Sequence, residues 1–527
     1  MQQAKVSPLV SSVGFAIFLV INATQVWGGV FPFLPLDFQT PDVTLGFYLA
    51  QSIAFMAAIV VSVVGSYVYP EGARRMLVGV AVAMVAVGSF SIIAAMYSPA
   101  GTLALVLFGG AALGVGVAAF FMLWQRYFSS LPPEECNWQL MVGTILSAVF
   151  YFALYLIPVA LTAFLIPLVF LPISALCLVL SVRGMSFDQP MFEDVPREHP
   201  EVYGHLLRDS WRSAVGLAAI GFACGLARGV ALNDPSLGTL TNIASMGGSL
   251  LAAAVLLGLS RVKSVRFDMN MVFRSLFPIV ITGYLLFPFF QSVGLNLFAG
   301  VAYLAFSAIM LVMMMQSAQT SRDRGTNPVF VYGFFAACAY AAQGAGFLLG
   351  WNAQGMDVMG ADQVMLFSMV AAYVMGMGLF FVTRPLRGVG VQHKDQIELI
   401  RAQKPVSAEG NAAAEAAQRP SRKRSRADES DRSLKDRLSK QCLVAQDRYA
   451  LSSREAEVME LIARGLTVSA ISKQLFISEN TVRTHSKHIY TKMDIHSKQE
   501  LVQALESVDL ARFDDAEYSV REDLALA

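Results

Sequence analysis

Long apolar runs constrain this chain more than any other feature of its sequence. About twelve stretches contain almost no charge, near 9–30, 43–67, 76–96, 102–124, 140–158, 161–182, 214–232, 238–259, 272–290, 295–316, 329–350 and 363–384. A helix of about 20 apolar residues crosses the hydrocarbon core of a bilayer and satisfies its own backbone hydrogen bonds. The runs therefore predict an all-α, polytopic membrane bundle of about twelve helices. A count of eleven helices is the alternative, because Pro158, Pro167 and Pro172 interrupt the long apolar stretch that contains the fifth and sixth runs.

A change in charge density near Arg384 divides the chain. Of the 527 residues, 55% are hydrophobic and 15% charged, whereas soluble proteins carry about a quarter charged residues. Charges are sparse before the boundary and dense after it. We therefore predict a membrane domain at 1–384, a basic flexible cytoplasmic linker at 385–446, a folded domain at 447–508 and an acidic tail at 509–527.

Basic residues in alternate loops predict the orientation. One set of loops carries Arg74, Arg75, Arg126, Arg197, Arg208, Arg212, Arg261, Lys263, Arg266, Arg322 and Arg324. The opposite loops carry Asp37, Asp42, Asp357 and Asp362, with Arg228 and Asp234 near one helix end. Because short cytoplasmic loops are enriched in Lys and Arg, we expect a multi-pass protein of the inner (cytoplasmic) membrane with both termini in the cytoplasm.

The helix count and the charged loop at 183–213 resemble the six-plus-six plan of the major facilitator superfamily. That family carries a glycine- and arginine-rich motif between its second and third helices. The corresponding stretch here, GSYVYPEGARR at 65–75, keeps two glycines and an arginine. Tyr69 and Pro70, however, stand where the family has its acidic and basic gating residues. This departure favours a bundle used for sensing over one used for transport.

Polar side chains inside the apolar runs are candidates for a ligand site, because such residues are costly in a membrane. The candidates share the outer half of their predicted helices and are Asn22, Gln25, Trp27, Gln51, Arg228 and Gln343. The Arg228 guanidinium could pair with a carboxylate or phosphate. Interhelical hydrogen bonds for the amides and an interfacial anchor for Arg228 remain the alternative. The run GGAALGVG from Gly109 to Gly116 favours close helix packing over a site.

The predicted linker is low in complexity and contains little apolar surface, so disorder or a loose helix is expected. From Arg419 to Lys440 it has nine Lys and Arg against four Asp and Glu. Such a patch suits anionic lipid heads or DNA phosphates. A solvated tether is equally compatible with it.

Capping patterns predict four helices between Tyr449 and Val508. Ser452 and Glu455 have the spacing of a capping box, and Gly465 suits the end of the first helix. The second helix is predicted from about Val468 to Leu475. Ser478 caps a third that reaches about Met493, and the Ser497 box opens a last helix that ends near Ser507.

The third helix has two faces. Val482, Ile489 and Met493 recur at core spacing, whereas Arg483, Thr484 and Lys487 lie on another side. Basic and polar side chains opposite a core stripe suit insertion into a DNA major groove. A solvated helix in a small bundle has the same periodicity.

The complete string from Leu451 to Leu501 resembles the LuxR-type helix-turn-helix family. Matching positions are Leu451, Arg454, Glu455, Gly465, Ile471, Leu475, Ser478, Thr481, Val482, His485, Ile489, Lys492 and Ser497. The resemblance implies a four-helix domain whose third helix reads promoter DNA. The implied DNA-binding residues are Ser478, Thr481, Arg483, Thr484, Lys487 and Lys492. It also implies a homodimer on DNA, with Leu501, Val502 and Leu505 as candidate contacts.

Three functions fit these patterns. The first is a membrane-bound one-component transcriptional regulator that senses a small molecule in its bundle and binds double-stranded promoter DNA. The second is a major-facilitator-like transporter with a fused regulatory domain, and the third is a DNA tether without sensing. No nucleophile–base set or phosphate-binding loop can be placed, and the five cysteines lack metal-site spacing. We therefore expect no enzyme activity, catalytic residue, cofactor or metal.

Overall fold

The computed structural model describes residues 7–24, 34–68, 78–98, 101–185, 189–198, 200–231, 235–262, 265–267, 269–352, 363–383, 397–399 and 437–506. The chain divides into two compact units, one containing the apolar helices and the other the C-terminal helices. Two of the predicted ligand-site residues, Gln25 and Trp27, lie outside the described residues.

Twelve helices of 16 or more residues form the framework of the first unit in the described ranges, which also contain the short helix Pro190–Glu193 and three short 3-10 segments. The twelve are α1 Pro8–Ala23, α2 Pro41–Val68, α3 Val78–Met96, α4 Thr102–Ser130, α5 Pro133–Leu154, α6 Val159–Arg183, α7 Pro200–Ala231, α8 Pro235–Val262, α9 Met269–Leu286, α10 Gly294–Arg324, α11 Pro328–Asn352 and α12 Gln363–Thr383. Eleven are long and apolar enough to cross a membrane, and α1, described over 16 residues, is shorter. The predicted polytopic helical bundle is confirmed. A short antiparallel strand pair, β1 Val265–Phe267 with β2 Ile397–Leu399, is added to it.

The interrupted apolar stretch forms two separate helices, α5 and α6. Pro158 lies at the N-cap of α6, where its missing N–H costs no helical hydrogen bond. Within α6, Ile166–Phe170 is π-helical and contains Pro167, after which Leu171–Arg183 continues as α-helix. A π-turn accommodates the proline ring without ending the helix.

Helix pairing repeats with an offset of six. In the first six helices α1 packs against α5 and α6, and α3 packs against α6. In the second six, α7 packs against α11 and α12, and α9 packs against α12. The two groups meet through α2 with α11 and through α5 with α8. The predicted six-plus-six arrangement therefore agrees with the observed packing.

Glycines set the closest helix crossings. A Cβ added at Gly225 of α7 would lie 2.0 Å from the Gln343 carbonyl oxygen of α11. One added at Gly114 of α4 would lie 2.4 Å from the Gln51 carbonyl oxygen of α2. Only glycine permits such backbone contact between membrane helices. The packing role predicted for the run from Gly109 to Gly116 is confirmed.

Large apolar side chains cover the outside of the bundle. Ile53, Val61, Leu156, Ile279 and Phe289 are all exposed. A soluble surface rarely carries so much contiguous apolar area. Contact with lipid accounts for it, and the chain is a multi-pass membrane protein.

The second unit contains five described helices: α13 Arg437–Arg448, α14 Ser453–Ala463, α15 Val468–Leu475, α16 Glu479–Met493 and α17 Lys498–Glu506. The last four confirm the predicted bounds and caps. Ser452 and Glu455 form a complete capping box, and Gly465 has a φ of +92°. The boundary at 446 needs correction, because Cys442 and Ala445 of α13 are buried in the same core as Leu451 and Val458.

Candidate ligand cavity and nucleic-acid interface

Four of the predicted ligand-site residues line one cavity in the membrane unit. Asn22 of α1, Gln51 of α2, Arg228 of α7 and Gln343 of α11 all border a space of about 130 Å³. Both six-helix groups contribute to its wall. These four residues, grouped from the sequence, therefore border the same cavity. Ligand binding in this cavity stays a prediction.

Arg228 is a buried cation held by tyrosines. Its Nε donates to the Tyr303 hydroxyl at 3.0 Å. Its Cζ lies 4.7 Å from the centroid of the Tyr48 ring, a cation–π contact. Of the described residues bordering the cavity, it is the only one with a charged side chain. The predicted interfacial-anchor alternative is wrong for this residue, because its side chain is buried within the bundle.

Aromatic rings form a continuous wall along the cavity. Tyr340 lies between Phe306 and Phe55, at ring-centroid distances of 6.2 and 4.8 Å. Phe55 continues to Phe121 at 6.4 Å, and Phe121 stacks on Tyr332 at 6.1 Å with a 22° interplanar angle. The wall is therefore largely apolar, and three of its four ring contacts are edge-to-face.

Sequence reasoning missed the aromatic and hydroxyl residues of this site. On α2 the cavity residues recur at helical spacing, as Tyr48, Gln51, Ser52 and Phe55. On α10 they are Tyr303, Phe306, Ser307 and Met310. A search for one polar–aromatic stripe per helix would have found both faces, because i, i+3, i+4 and i+7 share a side.

Helix α16 presents the predicted groove-facing side chains. The Arg483 side chain is 68% exposed, with Nη2 only 3.8 Å from Glu479 one turn earlier. Lys487 is exposed, and Thr484 is half-buried with its hydroxyl donating to the Asn480 carbonyl at 3.0 Å. These three residues lie within one and a half turns of each other, an arrangement that can contact adjacent base edges.

Ser478 and Thr481 are joined at the start of α16. Ser478 Oγ accepts the Thr481 backbone N–H at 3.1 Å, and the two hydroxyls lie 2.7 Å apart. The pair therefore caps the helix. The remaining N–H groups of this turn are suited to an anion such as a phosphate. Phosphate contact at this end stays a prediction.

Lys492 has a structural role that the sequence prediction did not include. Its Nζ donates to the carboxylate of Glu455 at 2.7 Å and to the Ala450 carbonyl at 3.1 Å. Glu455 is buried and also accepts the Ser452 backbone N–H at 2.8 Å. DNA contact by Lys492 stays a prediction, and its ammonium also neutralises the buried carboxylate of Glu455 within the domain.

Two lysines of α16 provide a matched test of the structural role of Lys492. Replacing Lys492 by Met is expected to destabilise a fragment beginning at Arg437 by about 1–2 kcal/mol, since the buried Glu455 carboxylate loses the ammonium that neutralises it. Replacing Lys487 by Met should change stability by less than about 0.5 kcal/mol. Urea unfolding of both variants makes the comparison. Equal midpoints would contradict the structural role of Lys492.

The pH dependence of the same fragment follows from Glu455. Burial raises the pKa of its carboxyl, but the charge and hydrogen bond of Lys492 outweigh burial and leave the pKa below its ordinary value. The carboxylate therefore stabilises the fold above its unfolded-state pKa of about 4.3. This stability is lost as the pH falls through the lower pKa that Glu455 has in the folded state. The loss of unfolding free energy caused by Lys492→Met should therefore become smaller when urea unfolding is measured below about pH 4.

The three predicted dimer contacts differ in how accessible their side chains are. Leu501 and Leu505 are fully buried in the core of their own unit, alongside Val458 and Met459. They cannot also form a surface for a second copy without opening that core. Val502 is half-buried, and of the three it alone keeps part of its side chain accessible. A homodimer on DNA stays a prediction, with Val502 as the surviving candidate contact.

Within the described ranges, no group of three or more His, Cys, Asp or Glu side chains is placed to hold a metal ion.

Comparison with known proteins identifies the C-terminal unit. Residues 449–505 match the family GerE, described as bacterial regulatory proteins of the luxR family. The unit is a LuxR-type helix-turn-helix domain, a DNA-binding regulator domain, carried by a multi-pass membrane protein.

Its curated relatives include the oxygen regulatory protein NreC of Staphylococcus haemolyticus, 49% identical over 53 residues. The same protein from Staphylococcus epidermidis is 47% identical over 53 residues. Each alignment spans 10% of this chain and 24% of the relative. The likeness is therefore confined to the DNA-binding domain.

Solved structures similar to this chain include transporters. The human organic anion transporter MFSD10 has a TM-score of 0.47 at 13% identity, covering 71% of this chain and 98% of that chain. The major facilitator superfamily transporter FucP in its outward conformation has a TM-score of 0.48 at 12% identity, covering 72% of this chain and 100% of that chain.

Proposed function

We propose that this protein is a one-component transcriptional regulator of the inner membrane. A small molecule binds in the cavity beside Arg228, and the cytoplasmic helix-turn-helix binds promoter DNA as a homodimer through α16. Both chain termini lie in the cytoplasm in this proposal. The observation that carries it is the convergence of Asn22, Gln51, Arg228 and Gln343 on one cavity in a chain that also exposes Arg483 and Lys487 on α16.

Ligand binding regulates DNA occupancy only if the ligand binds two states of the bundle with different affinities. Arg228 and Gln343 belong to the second six-helix group, whereas Asn22 and Gln51 belong to the first. A ligand that touches both groups changes the free energy of any rearrangement between them. This provides the input that a one-component regulator needs.

The test uses full-length protein in lipid nanodiscs. Preferred duplexes are first selected from a random pool, and candidate compounds are then screened for their effect on DNA affinity. We expect at least one compound to change affinity by about 5- to 150-fold, the usual range of coupling between sites. The Arg228→Gln variant should keep DNA binding and lose that response. Occupancy that is constant with every compound would support the tether instead.

Transport is the second candidate, and the placement of the cavity between two six-helix groups favours it. The two functions differ in their need for the C-terminal unit. Uptake into proteoliposomes that survives deletion of residues 385–527 would establish transport. A regulator is expected to show no such uptake.

A further inference from the structure

We infer that the cavity takes a small aromatic monocarboxylate that carries a second polar group, such as a hydroxyl. This inference rests on the proposed function, because it names the class of ligand for the same site. Four observations carry it: the charge of the cavity, the character of its wall, its size and one buried hydroxyl.

The charge of the site selects a monoanion. Arg228 is the single charged side chain among the described cavity residues, and it lies in the interior of a membrane bundle. A charge in such a medium interacts far more strongly than one in water. One guanidinium balances one negative charge, and its planar fork matches a carboxylate.

The wall of the site selects a ring. The continuous series from Phe306 through Tyr340, Phe55 and Phe121 to Tyr332 presents ring faces and edges to the same space. Aromatic pairs in stacked or edge-to-face geometry gain energy beyond their buried area. An aromatic ligand obtains these contacts, whereas a sugar or a short aliphatic acid does not.

The volume limits the ligand to a single ring. The cavity measures about 130 Å³, and an apolar protein cavity of about 150 Å³ accommodates benzene. One ring bearing a carboxylate is therefore near the upper limit of what fits without movement of the helices. Fused rings and nucleotides exceed it.

The hydroxyl of Tyr332 calls for a further polar group on the ligand. Tyr332 borders the cavity and is fully buried, and its oxygen has no hydrogen-bond partner among the described residues. A buried hydroxyl without a partner costs about 1–3 kcal/mol. A ligand hydroxyl that donates to it or accepts from it removes this cost on binding.

The experiment measures equilibrium binding to full-length protein in nanodiscs by isothermal titration calorimetry. The probes are benzoate, its neutral isostere benzamide, the non-aromatic cyclohexanecarboxylate and the three monohydroxybenzoates. Benzoate should bind at least about tenfold more tightly than benzamide, the minimum expected of a charge-assisted bidentate pair. It should also bind more tightly than cyclohexanecarboxylate. These comparisons use one unaltered protein, so they do not depend on the folding of a variant.

The Tyr332→Phe variant tests the second polar group. At least one monohydroxybenzoate should bind about fivefold or more tightly than benzoate to the unaltered protein, and this advantage should vanish in the variant while benzoate affinity is preserved. Equal binding of benzoate and benzamide would overturn the inference, as would failure of all the carboxylates to bind. An unchanged hydroxyl advantage in Tyr332→Phe would overturn the role of Tyr332.

DNA affinity measured on the same nanodiscs separates this inference from the proposed function. Intact, sequence-specific DNA binding without binding of any carboxylate overturns the ligand class alone. Tight carboxylate binding with unchanged DNA affinity, together with uptake into proteoliposomes, overturns the regulator instead.

Discussion

Replacing Arg483 by Ala is expected to weaken binding of the C-terminal unit to its preferred duplex by about 10- to 100-fold and to relax its sequence preference, because a base-contacting arginine is worth about 1–3 kcal/mol. The fold should be unaffected, since the side chain is largely exposed and its ion pair with Glu479 spans 3.8 Å. Competition between selected and random duplexes at fixed salt measures both effects.

Arg464 provides the matched control. It also pairs with a glutamate one turn earlier, with Nη2 2.7 Å from Glu460, but it lies at the end of α14 and not on α16. Arg464→Ala should leave base preference unchanged. A loss of the same size in both variants would show that net charge, and not groove reading by α16, determines binding. Lys487→Ala should likewise weaken binding to the preferred duplex more than to random duplexes, because its side chain lies on the same face of α16 as Arg483.

Replacing Gly225 by Ala should strongly destabilise the membrane unit. The added methyl would lie 2.0 Å from the Gln343 carbonyl oxygen, and backbone on the opposite helix cannot move aside as a side chain can. Overpacking of this kind costs about 1–3 kcal/mol or more, and here it separates α7 from α11, the helices that carry Arg228 and Gln343. We expect a lower yield of monodisperse protein and a lower unfolding temperature in detergent.

Gly247→Ala is the control for this prediction. Gly247 lies in α8, and a Cβ added there would meet nothing within 4 Å. Because alanine is the better helix former, the control should be neutral or stabilised by up to about 1 kcal/mol. Equal unfolding temperatures for the two variants would contradict the close crossing of α7 and α11.

Local signals account for the parts of the fold that were predictable. In the C-terminal unit, Ser452 and Ser478 cap α14 and α16. Their hydroxyls accept backbone N–H groups within the next turn, and such caps depend only on neighbouring residues. Membrane spans follow from length and apolar composition. For this reason the stretch interrupted by prolines forms two helices, α5 and α6, as the predicted count of twelve requires.

The remaining features depend on contacts between distant residues. Lys492 is five positions after Lys487, so the two side chains point about 140° apart around α16, and only the position of Glu455 shows which of them is paired. Leu501 and Leu505 form an apolar stripe that suits a core and a dimer equally well. The buried side chains of α13, Cys442 and Ala445, lie in a segment whose average composition indicates disorder.

The tyrosines around Arg228 also bear on how an occupant of the cavity acts. Tyr48 belongs to the first six-helix group and Tyr303 to the second, and one guanidinium contacts both. Moving the two six-helix groups apart breaks the cation–π contact between Arg228 and Tyr48. A compound that contacts both groups opposes that movement. Under the proposed function, closely related compounds can therefore occupy this space equally well and still act as agonist and antagonist, since affinity and efficacy depend on different contacts.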